Sequence, residues 1–145
     1  MTDPEALARR CADALWADDA ASHGLGMTLD HVGAGSSRLS MTVRPDMVNG
    51  LGLCHGGFIV TLADSAMAFA SNAYGDRAVA QHITITYIRP GKPGEILTAT
   101  ATERSKQGRS GIYDVSVTGS SDGSVVAEFR GHTRFSGGRF FTDAD

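Results

Sequence analysis

Between Asp46 and Asp76 the chain passes through 29 residues of which one, Asp64, is charged. At the chain's 20% charged fraction, about six would be expected. Within this stretch, the run from Phe58 to about Tyr74 is mostly apolar and rich in alanine (Ala63, Ala66, Ala68, Ala70, Ala73). Its length favours a helix over a strand, with His55-Gly56-Gly57 at the entry and Gly75 as the stop. A surface helix carries a charged face, whereas a helix without one is buried on most sides. A membrane span needs about 20 apolar residues. Asp64 near the middle of such a span would cost about 2.5–3.5 kcal/mol. The remaining reading is a long helix wrapped by a curved sheet, with the alanines permitting close approach.

The rest of the chain supplies that sheet. Thr2-Asp3-Pro4-Glu5 reads as a helix start, with Thr2 and Glu5 at capping-box spacing and Asp3 as an alternative cap before Pro4. An N-terminal helix over 1–21 follows, with Leu7, Cys11, Ala14 and Leu15 on one stripe. Leu25, Met27 and Leu29, then Leu39, Met41 and Val43, alternate around Gly33-Ala34-Gly35-Ser36 as a hairpin. After the long helix come four strand patterns, 79–88, 95–104, 112–118 and 125–135. Asp122-Gly123 is a two-residue hairpin signal before the last of them. The segment 137–145 reads as a loose tail. Helix, two strands, helix and four strands lack the alternation that parallel crossovers require, so the class is α+β with a mainly antiparallel sheet.

At 145 residues the chain is one domain, 1–145, burying roughly 68–70% of its unfolded surface. A net charge of -3 argues against nucleic acid as a partner. Cys11 and Cys54 are too few for a disulfide framework or a four-thiolate zinc site. His23, His31, His82 and His132 show no metal-ligand spacing. The opening MTDPEALARR lacks a secretory apolar stretch. The expectation is a cytoplasmic protein with no metal and no membrane partner.

The segment Asn49-Gly50-Leu51-Gly52-Leu53-Cys54-His55-Gly56-Gly57, with Asp64 in the helix behind it, resembles the hotdog-fold acyl-CoA thioesterases. The nearest subgroup is the phenylacetic-acid-degradation thioesterases. Further matching pieces are Tyr87-Ile88-Arg89-Pro90-Gly91, Leu97-Thr98-Ala99-Thr100-Ala101, Gly111-Ile112-Tyr113-Asp114-Val115 and Phe129-Arg130-Gly131. The resemblance spans about residues 22–135 and implies a long central helix wrapped by a curved antiparallel sheet. It also implies hydrolysis of a coenzyme A thioester, with an aryl-acyl group such as phenylacetyl or hydroxyphenylacetyl, and no cofactor beyond the substrate's own coenzyme A. It implies that the Gly56 N–H polarises the carbonyl while Asn49 and His55 position the substrate.

A helix N-terminus has unpaired N–H groups and the positive end of the dipole. Gly56 and Gly57, lacking side chains, are read as leaving room for a thioester carbonyl. Asp64 is the candidate nucleophile or general base, because a carboxylate in an apolar helix is costly unless used or paired. Eight residues of helix separate Gly56 from Asp64, about 12 Å along the axis. A nucleophile must lie about 3–3.5 Å from its target, so one chain cannot easily supply both groups to one carbonyl. Two antiparallel helices from two protomers can. The resemblance implies the same arrangement, a carboxylate from the partner protomer in a dimer of dimers. It also implies coenzyme A lying across the protomer interface, which makes Arg89, Lys92, Lys106 and Arg109 candidate phosphate contacts. The alternatives are an enoyl-thioester hydratase or dehydratase on the same fold, or a non-catalytic acyl-CoA-binding protein.

Overall fold

The computed structural model describes residues 3–142. Helix α1 spans Pro4–Ala17, and its N-cap is Asp3, whose side chain accepts from the Glu5 N–H. Thr2 lies outside the described residues. α1 buries Ala8, Cys11 and Ala12. A second short helix, α2 (Ala20–Gly24), follows a break at Asp18-Asp19. Asp19 caps it through Ser22, and the Ser22 hydroxyl reaches Ser65 at 2.9 Å.

Six strands form one sheet: β1 Thr28–Gly33, β2 Ser36–Thr42, β3 Asp76–Tyr87, β4 Ile96–Gln107, β5 Ser110–Gly119 and β6 Val125–Arg139. Their order is β1-β2-β4-β5-β6-β3, and every neighbouring pair is antiparallel. Helix α3 (Gly56–Ser71) lies against the inner face, mainly across β2, β4 and β5. It buries Ile59, Leu62, Ala63, Ala66, Met67 and Ala70, a spacing of three and four that makes one face. That face meets Leu39 and Met41 of β2, Leu97 and Ala99 of β4, and Val115 and Val117 of β5 in one core. Each set sits at alternate strand positions, so one side of the sheet is dry. This is the α+β hotdog arrangement, and the helix with Asp64 as its single charge is its filling.

β3 stands at the edge of the sheet, with Val79 near its start and Ile88 just past its end each 57% exposed. Two expectations change. Asp122-Gly123 does not make a two-residue turn: residues 120–124 form the connection, Gly123 has φ 76, and Asp122 accepts from the Ser124 N–H and hydroxyl. The C-terminal segment is not loose over 137–142. β6 continues to Arg139, and the Phe140 N–H donates to Gly75 O at 2.9 Å. Arg77 and Arg10 lie over the Phe140 and Phe141 rings at 4.6 and 4.1 Å. Residues 143–145 of the expected tail lie outside the described residues.

Candidate active site

The loop before α3 is held by one side chain. Asn49 Oδ1 accepts from the Leu51 and Leu53 N–H groups at 2.9 and 3.2 Å. Its backbone N–H donates to Leu53 O at 2.7 Å. The loop is then pinned to its neighbours: Cys54 N–H donates to Gly91 O in the β3–β4 connection and His55 N–H to Met47 O. His55 is the N-cap of α3, accepting the Gly57 N–H on Nδ1 at 2.9 Å. In a neutral ring that bond places the proton on Nε2, which leaves an outward donor.

These bonds tie down most of the loop's polar groups. Among the described residues, the Gly56 N–H at the first helical position makes no hydrogen bond. It belongs to a cavity of about 430 Å³ lined by Asn49, Cys54, Gly56, Tyr87, Arg89 and others. The Asn49 side-chain amide nitrogen, on the same wall, likewise has no partner among the described residues. Gly56 and Gly57 also make room for neighbouring side chains. A Cβ on Gly56 would fall 2.8 Å from Tyr87 Oη, and one on Gly57 would fall 3.1 Å from His55 Nδ1. Their missing side chains accommodate Tyr87 and His55, while the Gly56 backbone lines the cavity.

Asp64 lies elsewhere. It lines two clefts between α3 and β3, of about 380 and 290 Å³, neither shared with Gly56. Its carboxylate has no hydrogen bond or ion pair among the described residues. Burial alone pushes its pKa above the ordinary carboxylate value. The larger cleft has apolar walls in Leu15, Met67, Ala68 and Phe140, so the C-terminal segment expected to be loose forms part of it. The chain therefore brings Asn49 and Gly56 to one cavity, with His55 capping the helix beside Gly56, and holds Asp64 apart.

The four basic candidates separate too. Arg89 is committed internally: Nε donates to Ser124 Oγ, Nη1 to Pro90 O and Glu95, and Nη2 to Asp122. Glu95 beside it is 4% exposed in its side chain. Burial alone would raise that carboxyl, yet the Arg89 bonds bring it below the usual range. Arg89 is thus a structural anchor, its nitrogens engaged by the protein itself although it also lines the Gly56 cavity. Lys92 is exposed on the same turn, beside the Gly56 cavity. Lys106 Nζ lies over the Tyr74 and Phe135 rings at 4.7 and 5.0 Å. Lys106 and Arg109 flank the β4–β5 turn, at the other end of the sheet from Gly56. Cys54 lines the Gly56 cavity, but burial raises its thiol pKa, which disfavours the thiolate. Tyr87 carried no role in the sequence reading. Its signal was an aromatic residue ending a strand just before Arg89-Pro90.

Residues 51–126 match the family model described as "Thioesterase superfamily". The chain belongs to that superfamily. A curated relative, "Acyl-coenzyme A thioesterase PaaI" of Escherichia coli, is 38% identical over 133 residues, 92% of this chain and 94% of the relative. The solved structure of the E. coli PaaI protein superposes with a TM-score of 0.91 at 37% identity, covering 94% of this chain and 99% of that one. A variant of the phenylacetic acid degradation protein PaaI from Thermus thermophilus gives 0.75 at 36% identity, over 79% and 96% of the two chains. A Streptococcus mutans protein solved bound to acetyl CoA gives 0.74 at 26% identity, over 78% and 90%. Among the described residues of this thioesterase-superfamily chain, no three His, Cys, Asp or Glu side chains converge as a metal site. No described helix is long and apolar enough to cross a membrane.

Proposed function

We propose that this chain is an acyl-coenzyme A thioesterase whose sites are composite, with Gly56, Asn49 and His55 from one protomer and the partner's Asp64. The observation that carries this reading is the pair of unsatisfied groups on one helix: a free Gly56 N–H and an unpaired Asp64, eight residues apart. The separation is about 12 Å, beyond the reach of one reacting carbonyl. Antiparallel packing of two copies of α3 closes the gap twice. The E. coli relative is named an acyl-coenzyme A thioesterase, and the Streptococcus mutans relative binds acetyl CoA. Both names support the substrate class.

In this reading the thioester oxygen accepts the Gly56 N–H, which strengthens as negative charge develops on that oxygen. Asn49 and the His55 Nε2–H orient the thioester. The partner's Asp64 either attacks the carbonyl carbon, with water later cleaving the anhydride, or takes a proton from a water that attacks. In both routes the C–S bond breaks, the thiol leaves protonated, and the acyl group departs as a carboxylic acid. Lys92, exposed on the turn beside the Gly56 cavity, is the basic residue this reading assigns to a coenzyme A phosphate.

The acyl group is read as compact and aryl. The apolar cleft beside Asp64 holds about 380 Å³, near the lower end of ligand pockets. Phe140 and Met67 in its wall suit an aromatic ring. The two PaaI relatives come from phenylacetic acid degradation by their names. The test is thiol release across phenylacetyl-, hydroxyphenylacetyl-, hexanoyl- and palmitoyl-coenzyme A. The expected result is highest kcat/KM on the aryl pair. Equal or better palmitoyl turnover removes the aryl assignment, and no release from any substrate removes the hydrolase reading.

A further inference from the structure

A helix that begins Gly-Gly begins badly. Each glycine costs about 0.5–1 kcal/mol relative to alanine in a helix, and the first turn has no intrahelical partners for its N–H groups. Such a turn frays unless it is held from outside. Here it is held from two sides. The His55 ring takes the Gly57 N–H. From the sheet, the Tyr87 hydroxyl donates to Gly56 O at 2.9 Å. The Tyr87 ring also occupies the volume a Gly56 side chain would need, with Oη at 2.8 Å and Cζ at 2.9 Å from the Cβ position. Tyr87 is the last residue of β3, so the bond joins the edge strand directly to the start of the central helix. Burial, with a smaller contribution from Cys54, holds the Tyr87 pKa above its ordinary value, so the group remains a donor throughout the neutral range.

The consequence concerns the donor left over. The Gly56 N–H points where the Gly56 backbone points. The Gly56–Gly57 peptide is gripped twice, on the Gly56 carbonyl by Tyr87 and on the Gly57 N–H by the ring of the capping residue. Oxyanion stabilisation depends on a donor already aimed at the developing charge, without reorganisation at the moment of reaction. We propose that Tyr87 is a positioning residue for the hydrolysis: through Gly56 O and the glycine's empty side-chain volume it locks the first turn of α3, keeping the Gly56 N–H directed into the cavity it shares with Asn49. The inference rests on the thioesterase reading for its catalytic consequence and on the hydrogen bond alone for its structural one.

The two parts are tested separately. Tyr87→Phe keeps the ring and removes the bond. Its kcat is expected to fall about tenfold, less than the 10²–10³ that accompanies loss of an oxyanion donor itself, with KM within about twofold because substrate contacts are retained. In ¹⁵N-labelled protein the Gly56 amide resonance is expected to shift and its hydrogen exchange to quicken. A double-variant cycle then reads the ring. Gly56→Ala is expected to be severe beside Tyr87. In a Tyr87→Leu background, where the clashing ring is gone, the same change adds little. Tyr87→Phe with kcat within twofold of wild type overturns the proposal, as does a loss carried wholly by KM. Losses of Gly56→Ala and Tyr87→Leu that simply multiply also overturn it. If the wild-type protein releases no thiol, the hydrolase reading has failed by itself. The amide resonance still decides the lock: moved in Tyr87→Phe, it stands, and unmoved, it falls.

Discussion

The two ends of the proposed chemistry sit on one helix in opposite conditions. At the first turn of α3, nearly every polar group is tied: Asn49 Oδ1 to two loop amides, His55 Nδ1 to Gly57, Tyr87 to Gly56. The Gly56 N–H remains. Two turns later, Asp64 has no partner among the described residues and faces open clefts. The contrast shows a division of labour. Stabilising an oxyanion calls for a donor fixed in advance. A base or nucleophile gains from being stripped of stabilising partners, which raises its affinity for a proton or a carbon. One end is built by hydrogen bonds, the other by withholding them.

The sharpest way to break this contrast is Asp64→Asn. It is expected to lower kcat by about 10³-fold or more, the scale on which loss of a reacting group is felt. It should also raise Tm at neutral pH. The sign follows from the raised pKa of Asp64. Between the unfolded and folded pKa values the native state holds more protons, so this group's contribution to stability falls as pH rises through that window. Above it the half-buried carboxylate is a liability that the amide lacks. Thiol release and thermal unfolding, run on the same sample, check both. Activity near wild type in the Asp64→Asn variant, or a lowered Tm, contradicts the reading.

Gly56→Ala should cost about 10²-fold in kcat by displacing the donor. Co-expression of Asp64→Asn with Gly56→Ala then separates one-chain from two-chain sites. Half of the dimers are mixed and each holds one intact site, so about a quarter of wild-type activity should return. No recovery places both groups within one chain.

The acid limb of kcat/KM gives a milder reading. It should lie above the ordinary carboxylate value of 3.8, with activity lost as Asp64 protonates. A limb at or below that value removes burial as the tuning factor. The basic residues come last. Arg89→Ala strands the buried Glu95 and should cost about 3 kcal/mol of stability, read by denaturant unfolding. Lys92→Ala should raise KM about threefold and leave Tm unchanged.

Much of the fold could be read from the chain because it rests on local rules. The missing charges over 47–75 require a covered helix, and alternation in Leu39, Met41, Val43 and Val115, Val117 requires a one-sided sheet. Legibility falls where a distant residue decides. Asp122-Gly123 looks like a tight turn until Asp122 is drawn to Ser124 and Arg89. Arg89 looks like a free cation until Glu95, buried six residues on, claims it. The segment after Gly137 looks loose until Gly75 and two arginines hold its end. The paired glycines are the subtlest case. They advertise an open backbone, and only the fold reveals that Tyr87, 31 residues away, fills the opening beside Gly56.

That tyrosine terminates the strand at the sheet's margin. β3 is twelve residues of edge with apolar side chains at both ends, the kind of border that invites another strand. A strand laid against it would stiffen the very rod whose tip presses on Gly56. Self-association would then do more than deliver a carboxylate: it would tune the instrument already in place.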